Sequence, residues 1–236
     1  MELVNNIERL DQKLKDFSVE QRLKKVYDLF GADLVVTSSF QSQSVPLLHL
    51  ISKHIPEVPV LFLDTGFHFP ETIAFKDNLT RRFGLNVIEV TNKMGHSGFK
   101  KKYGNLYKSD PDQCCYINKV EPLERSLSNY KAWITGIRRD QTEERKRADY
   151  VQKLDNGITK ICPILDWSNH DVWTYVQLYE LPQHPLLEEG YLSVGCAPCT
   201  QPSQDGDERS GRWQGKGKTE CGLHNSLGKK DSNEDT

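Results

Sequence analysis

Four of the six cysteines fall into two close pairs, Cys114-Cys115 in DQCCYINKVEPL and Cys196 with Cys199 in VGCAPCTQP. Four thiolates suit either zinc or an iron-sulfur cluster, and C-x-x-C spacing occurs in both settings. The adjacent pair favours the cluster. Neighbouring side chains diverge, which is awkward around one small tetrahedral ion, whereas a cluster can take one thiolate on each of two irons. Zinc ligation or disulfides serving stability alone remain open on spacing. Cys162, inside the apolar run ITKICPIL, reads as a core residue.

Cys221 is of another kind, because it stands in KTECGLHNSLGKK, a polar stretch where a buried thiol has no place. Arg209, Arg212, Lys216, Lys218 and His224 are close enough in the chain to stabilise a thiolate, while Glu220 opposes it. The bland alternative is an incidental tail thiol or a spare metal ligand.

These groups need a scaffold, and the rest of the chain describes one. Leu3, Ile7, Leu10 and Leu14 recur at helical spacing, and Ser18 to Gln21 has the form of a capping box opening a second helix that Gly31 ends. The period then changes. LVVTSSF, PVLFLDTG, NVIEV and AWITGIRRD read as strands, with VPLLHLISKH, PETIAFKDNLTRRFG and SNHDVWTYVQLYE as helices among them. Such alternation specifies an α/β fold with a mostly parallel sheet and helices on both faces. Ligands of such sheets bind beyond the carboxyl ends of the strands, so SSFQSQS, LDTGFHF and TGIRRDQ should surround one crevice. Residues 1–200 are expected to form one domain, with a helical N-terminus over 1–30. From Gln201 to the end the composition is that of a mobile tail or lid.

The chain has 236 residues, 36% of them hydrophobic, which allows one substantial core. Lysine and arginine total 31 against 33 acidic residues, a net charge of −2, so nucleic-acid binding through bulk charge is not expected and any anion site must be local. No apolar run is long enough for a signal peptide or a membrane span, and a cytoplasmic protein is expected, where cysteines serve as ligands or catalysts.

Taken together, CC-x-x-x-K-V-x-P-L, GYLSVGCAPCTQP, ERSGRW and ECGLH resemble the assimilatory adenylylsulfate reductases of the phosphoadenylylsulfate reductase family. SSFQSQS, LDTGFHFPET and WITGIRRDQTEER fall in order where that family has its nucleotide-contacting loops, so the resemblance covers about residues 30 to 227. It implies an adenine-nucleotide alpha-hydrolase type of sheet. Cys114, Cys115, Cys196 and Cys199 would hold one 4Fe-4S cluster, Cys221 would be the nucleophile, and Lys119 and His224 would assist it. Ser38, Ser39, Phe40, Leu63, Asp64, Thr65, Gly66 and Gly136 would cradle the nucleotide. Arg138, Arg139, Arg209 and Arg212 would hold phosphate and sulfate oxygens. Two departures stand out: SSFQSQS lacks the S-G-G-x-D-S form of ATP-pyrophosphatase loops, and QGKGK follows GRW where many relatives carry further tryptophans.

The implied activity is reduction of adenylylsulfate to sulfite and AMP through an S-sulfocysteine on Cys221. One thiol cannot supply two electrons and return to its starting state, so an external dithiol such as thioredoxin is the expected partner. The nearest rival is a reductase preferring, or also accepting, the 3′-phosphorylated nucleotide. An iron-sulfur tRNA-thiolating enzyme and a zinc-stabilised binding module are rivals of other classes; the first loop and the near-neutral charge weigh against the former, and ECGLH against the latter. Whether the chain forms a homo-oligomer is not specified by its sequence.

Overall fold

The computed structural model describes residues 6–204, 207–216, 218 and 220–223. Two amphipathic helices, α1 (Ile7–Lys15) and α2 (Val19–Phe30), lead into the sheet; Ser18 caps α2 through the expected box with Gln21. The strands are β1 (Leu34–Thr37), β2 (Val60–Leu63), β3 (Val87–Val90), β4 (Ala132–Ile134), β5 (Val151–Lys153) and β6 (Thr159–Ile161), in the spatial order β3-β2-β1-β4-β6-β5. All pairings are parallel except that of β5 with β6. Sequence periodicity does not single out this edge pair, since each strand is only 3 residues long.

Alternation along β1 explains the two-layered core. Leu34 and Val36 point into a large apolar cluster with α1, α2, α3 (Val45–His54), α4 (Pro70–Phe83) and α9 (Asn169–Leu178). Val35, between them, points to the opposite face, where Leu61, Trp133, Leu123 and Leu127 close a smaller cluster. Successive side chains of a strand face opposite ways, so both faces of a strand with three consecutive buried residues must be covered. No helix among the described residues is long and apolar enough to cross a membrane.

β1 pairs β2 on one side and β4 on the other, so the chain leaves β1 toward β2 and β3 but leaves β4 the opposite way, toward β5 and β6. That is a topological switch point, and it opens a crevice at the carboxyl ends of β1, β2 and β4. Beyond β3 the chain runs through α5 (Gly95–Tyr103), α6 (Leu106–Ser109), α7 (Pro111–Cys115) and α8 (Glu121–Leu127). Between α7 and α8, Tyr116–Val120 winds as a single π turn. Pro122 accounts for it: lacking an N–H it cannot donate to the Asn118 carbonyl, and its ring crowds that oxygen, so the turn widens.

The segment after Cys199 is tied down further than its composition suggests. Gln201 N donates to Gly211 O at 2.9 Å, Trp213 N donates to Cys199 O at 3.0 Å, and Thr200 bridges Arg212 in antiparallel fashion. Packing therefore continues past residue 200, and Trp213 is 3% exposed.

Candidate active site

A cavity of about 190 Å³ lies in the switch-point crevice. Its floor comes from the strand ends: Ser38 and Ser39 after β1, Phe62 and Leu63 on β2, Thr135 and Gly136 after β4. Apolar side chains, among them Val36, Leu47, Leu48 and Ile137, line part of it, and Lys119, Arg145, Arg209 and Arg212 group near Cys196 and Cys221 at its cationic end. A cavity with both apolar walls and a cluster of cations suits a planar base joined to anionic groups.

The donors at the cationic end are incompletely used within the protein. The Nε of Arg145, the Nε of Arg212 and the indole Nε1 of Trp213 are buried with no hydrogen-bond partner. Buried donors rarely stay unpaired, and here they belong to residues lining one cavity. Gly195 makes room for them: a Cβ there would stand 2.5 Å from Cζ of Arg212.

A second, smaller pocket adjoins the first, with Lys119, Cys196 and Trp213 in the walls of both. Cys114, Cys115, Cys196 and Cys199 all line it, and all four are free thiols. Local structure explains their presentation. α7 and the π turn bring up Cys114, Cys115 and Lys119 together, and the 3-10 turn Ala197–Cys199 is pinned to the loop after β2 by the Ala197 N–H donating to Phe67 O at 2.7 Å. Polar neighbours reach the sulfurs: Thr65 Oγ1 lies 3.4 Å from Cys196 Sγ, and Asn118 Nδ2 donates to Cys114 Sγ at 3.7 Å.

Burial, followed by the charges of Cys115, Cys196 and Cys199, pushes the Cys114 thiol up to about 12. Cys115 and Cys199 are also raised, first by burial. Burial works to lower Lys119, but Cys196, Cys115 and Cys221 outweigh it and hold the ammonium charged. Four thiolates this close would repel one another unless positive metal centres compensated them, so the donor set fits an iron-sulfur cluster.

Of the residues singled out in the sequence, Ser38, Ser39, Leu63, Gly136, Lys119, Arg209, Arg212 and Cys221 line the crevice cavity. Thr65 turns instead to the cysteine pocket. Asp64 accepts from the Gly66 N–H at 2.9 Å to close the turn after β2, and neither residue lines either pocket. Phe40 is fully buried edge-on against Phe62.

Arg138 and Arg139 are placed apart from the other arginines expected to hold anions. Arg138 is 1% exposed and donates to Asp140 and Gln43, while Arg139 donates to Ala148 O and stacks on Tyr150. Both guanidiniums hydrogen-bond within the fold, and neither lines the cavity. Arg145, six residues on from Arg139, is the cation this loop supplies, together with Gln41, Gln43 and Gln141 from the polar walls. Its signal was its place in the cation-bearing run TGIRRDQTEER, not the arginine pair itself. His224 lies outside the described residues. Cys162 is buried in the main core as expected, and burial pushes its thiol up to about 12.

Known proteins agree with this geometry. Residues 33–202 match the phosphoadenosine phosphosulfate reductase domain. The adenosine 5′-phosphosulfate reductase of Streptomyces coelicolor is 44% identical over 220 residues, 92% of each chain. The phosphoadenosine 5′-phosphosulfate reductase of Gloeobacter violaceus is also 44% identical, over 224 residues, covering 92% of this chain and 93% of that one. In structure, the phosphoadenylyl-sulfate reductase of Candida auris, solved with phosphate, superposes with a TM-score of 0.75 at 28% identity, covering 84% of this chain and 97% of its own. The FMN adenylyltransferase of Candida glabrata, at 18% identity and a TM-score of 0.59, shares the fold alone. On the matched domain and these relatives, the chain belongs to the phosphoadenosine phosphosulfate reductase family.

Proposed function

We propose that this protein reduces adenylylsulfate to sulfite and AMP in sulfate assimilation, with thioredoxin or a similar dithiol as the electron donor. The observation that carries the reading is Cys221 at the cationic end of the cavity, beside Lys119, Arg145, Arg209 and Arg212. Relatives of comparable identity are named for the unphosphorylated and the 3′-phosphorylated nucleotide, so family membership alone does not choose the substrate.

The adenine and ribose take the apolar walls and the strand-end loops, while the phosphate and sulfate reach the cations. The Cys221 thiolate attacks the sulfate sulfur, the anhydride bond between sulfur and the phosphate oxygen breaks, and AMP leaves with that electron pair. The enzyme retains Cys221 as S-sulfocysteine. A thiolate of the external dithiol attacks the Cys221 sulfur and releases sulfite, forming a mixed disulfide that the donor's second thiol resolves. Two electrons pass to the sulfate sulfur and the donor leaves as a disulfide.

An anionic thiolate must approach an anionic sulfate, and Lys119 with the arginines offsets that repulsion and stabilises charge moving onto the leaving phosphate. Cys114, Cys115, Cys196 and Cys199 would hold a 4Fe-4S cluster, whose contribution when bound is electrostatic and structural. Lys119, in the wall between the two pockets, is placed to couple that charge to the substrate.

The substrate assignment is tested by comparing kcat/KM for the nucleotide with and without its 3′-phosphate at equal thioredoxin. Preference for adenylylsulfate is expected, and a clear preference for the phosphorylated form would transfer the assignment to it. The arginine clamp has its own test in Gly195→Ala. The added methyl must displace the Arg212 guanidinium, so KM for adenylylsulfate should rise about tenfold, the order expected from weakening one charge-assisted contact, with iron content unchanged. An unchanged KM would remove Arg212 from substrate binding.

A further inference from the structure

Cys221 is held at the cavity by its neighbours in the chain. Immediately before it, Glu220 has a side chain only 8% exposed, turned onto the cavity's cations. Nη2 of Arg145 donates to its Oε2 at 2.8 Å, Nη2 of Arg209 lies 3.5 Å from the same oxygen, and the Thr142 hydroxyl donates to Oε1 at 3.3 Å. Two residues after Cys221, Leu223 packs against the smaller apolar cluster, the one that contains Val35 and Trp133. The thiol is therefore bracketed by an ionic anchor and an apolar one.

The reaction written above uses Arg145 and Arg209 but gives Glu220 no part. A carboxylate next to the nucleophile repels the incoming anion, so it needs a compensating role. Two arginines facing each other without an anion would repel, and Glu220 offsets that repulsion while drawing the following residue over the cavity. We propose that Glu220 is a positioning residue: it latches the Cys221 segment over the cavity by occupying Arg145 and Arg209, and the phosphate or sulfate oxygens of the nucleotide compete with it for those two guanidiniums.

The inference rests on Cys221 being the nucleophile, and it separates two quantities that a merely structural carboxylate would move together. Removing the charge should strengthen binding of the anionic ligand and slow the attack. Binding of AMP, measured by calorimetry on the iron-loaded full chain, should tighten by about three- to tenfold in Glu220→Gln, the size of one competing charge-assisted contact. Formation of the Cys221 adduct from saturating adenylylsulfate without thioredoxin should slow by about tenfold or more, because the thiol is no longer held in attacking geometry. Glu220→Asp, which keeps the charge, should return AMP affinity to the wild-type value.

AMP affinity in Glu220→Gln that is unchanged or weaker, or adduct formation as fast as in the wild type, overturns the latch. Failure of the wild-type protein to form any adduct on Cys221 is a different result, seen before any variant is made; it removes the nucleophile assignment and the latch with it.

Discussion

Cys221→Ser is expected to abolish turnover while leaving the fold and the iron content intact. The thiol lines the cavity beside Lys119 and three arginines but does not line the pocket shared by the four paired cysteines. A serine hydroxyl at neutral pH is a far weaker nucleophile than a thiolate, so the loss should be on the order of 10³-fold or more, as for other removed nucleophiles. The isosteric change costs little packing, since the residue is only half-buried. Sulfite release with adenylylsulfate and thioredoxin measures the loss, and iron analysis of the same sample checks the fold. Loss of iron together with activity would make Cys221 a metal ligand.

The complementary result is expected for the paired cysteines. Protein purified without oxygen should be brown and carry iron and acid-labile sulfide, and replacing Cys114, Cys115, Cys196 or Cys199 by Ser should remove both. A serine cannot supply a soft thiolate, and the three remaining thiols lose the positive charge that would keep them deprotonated. Cys162→Ser is the control. Its sulfur sits in the main core at 1% exposure, so a buried hydroxyl should cost about 1–3 kcal/mol of stability with the iron retained. Stoichiometric zinc without sulfide in the wild-type protein would contradict the cluster assignment.

Much of this architecture is written in local sequence. The buried run LVVT and the polar residues that follow it locate β1 and the cavity floor because side chains of a strand alternate between two faces that are both covered. The cysteine pairs stand out by residue type and short spacing, and the fold gathers all four around one pocket. The short edge pair β5 and β6 carries no such pattern.

The arginines were less legible, for a reason that is physical. Arg138 and Arg139 trail a strand as anion ligands often do, yet the acceptors that claim them include Gln43, 95 positions away, and the Ala148 carbonyl. Which cation of a loop stays available to a ligand depends on long-range partners that spacing cannot express. The pairing of Glu220 with Arg145, 75 positions apart, was hidden for the same reason, as was the burial of Trp213 beneath Arg212. The polar composition after Gln201 suggested a mobile tail; among the described residues Trp213 donates to the Cys199 carbonyl, a bond that composition does not reveal.

The covalent intermediate is the centre of this account, and one measurement reaches it directly. Iron-loaded wild-type protein is mixed with adenylylsulfate in the absence of thioredoxin, digested, and its peptides are weighed. A mass increase equal to one SO₃ group should appear on the peptide containing ECGLH, in step with the release of AMP, and thioredoxin should discharge it as sulfite. An adduct on any other cysteine, or turnover that proceeds with no adduct on Cys221, would contradict the account.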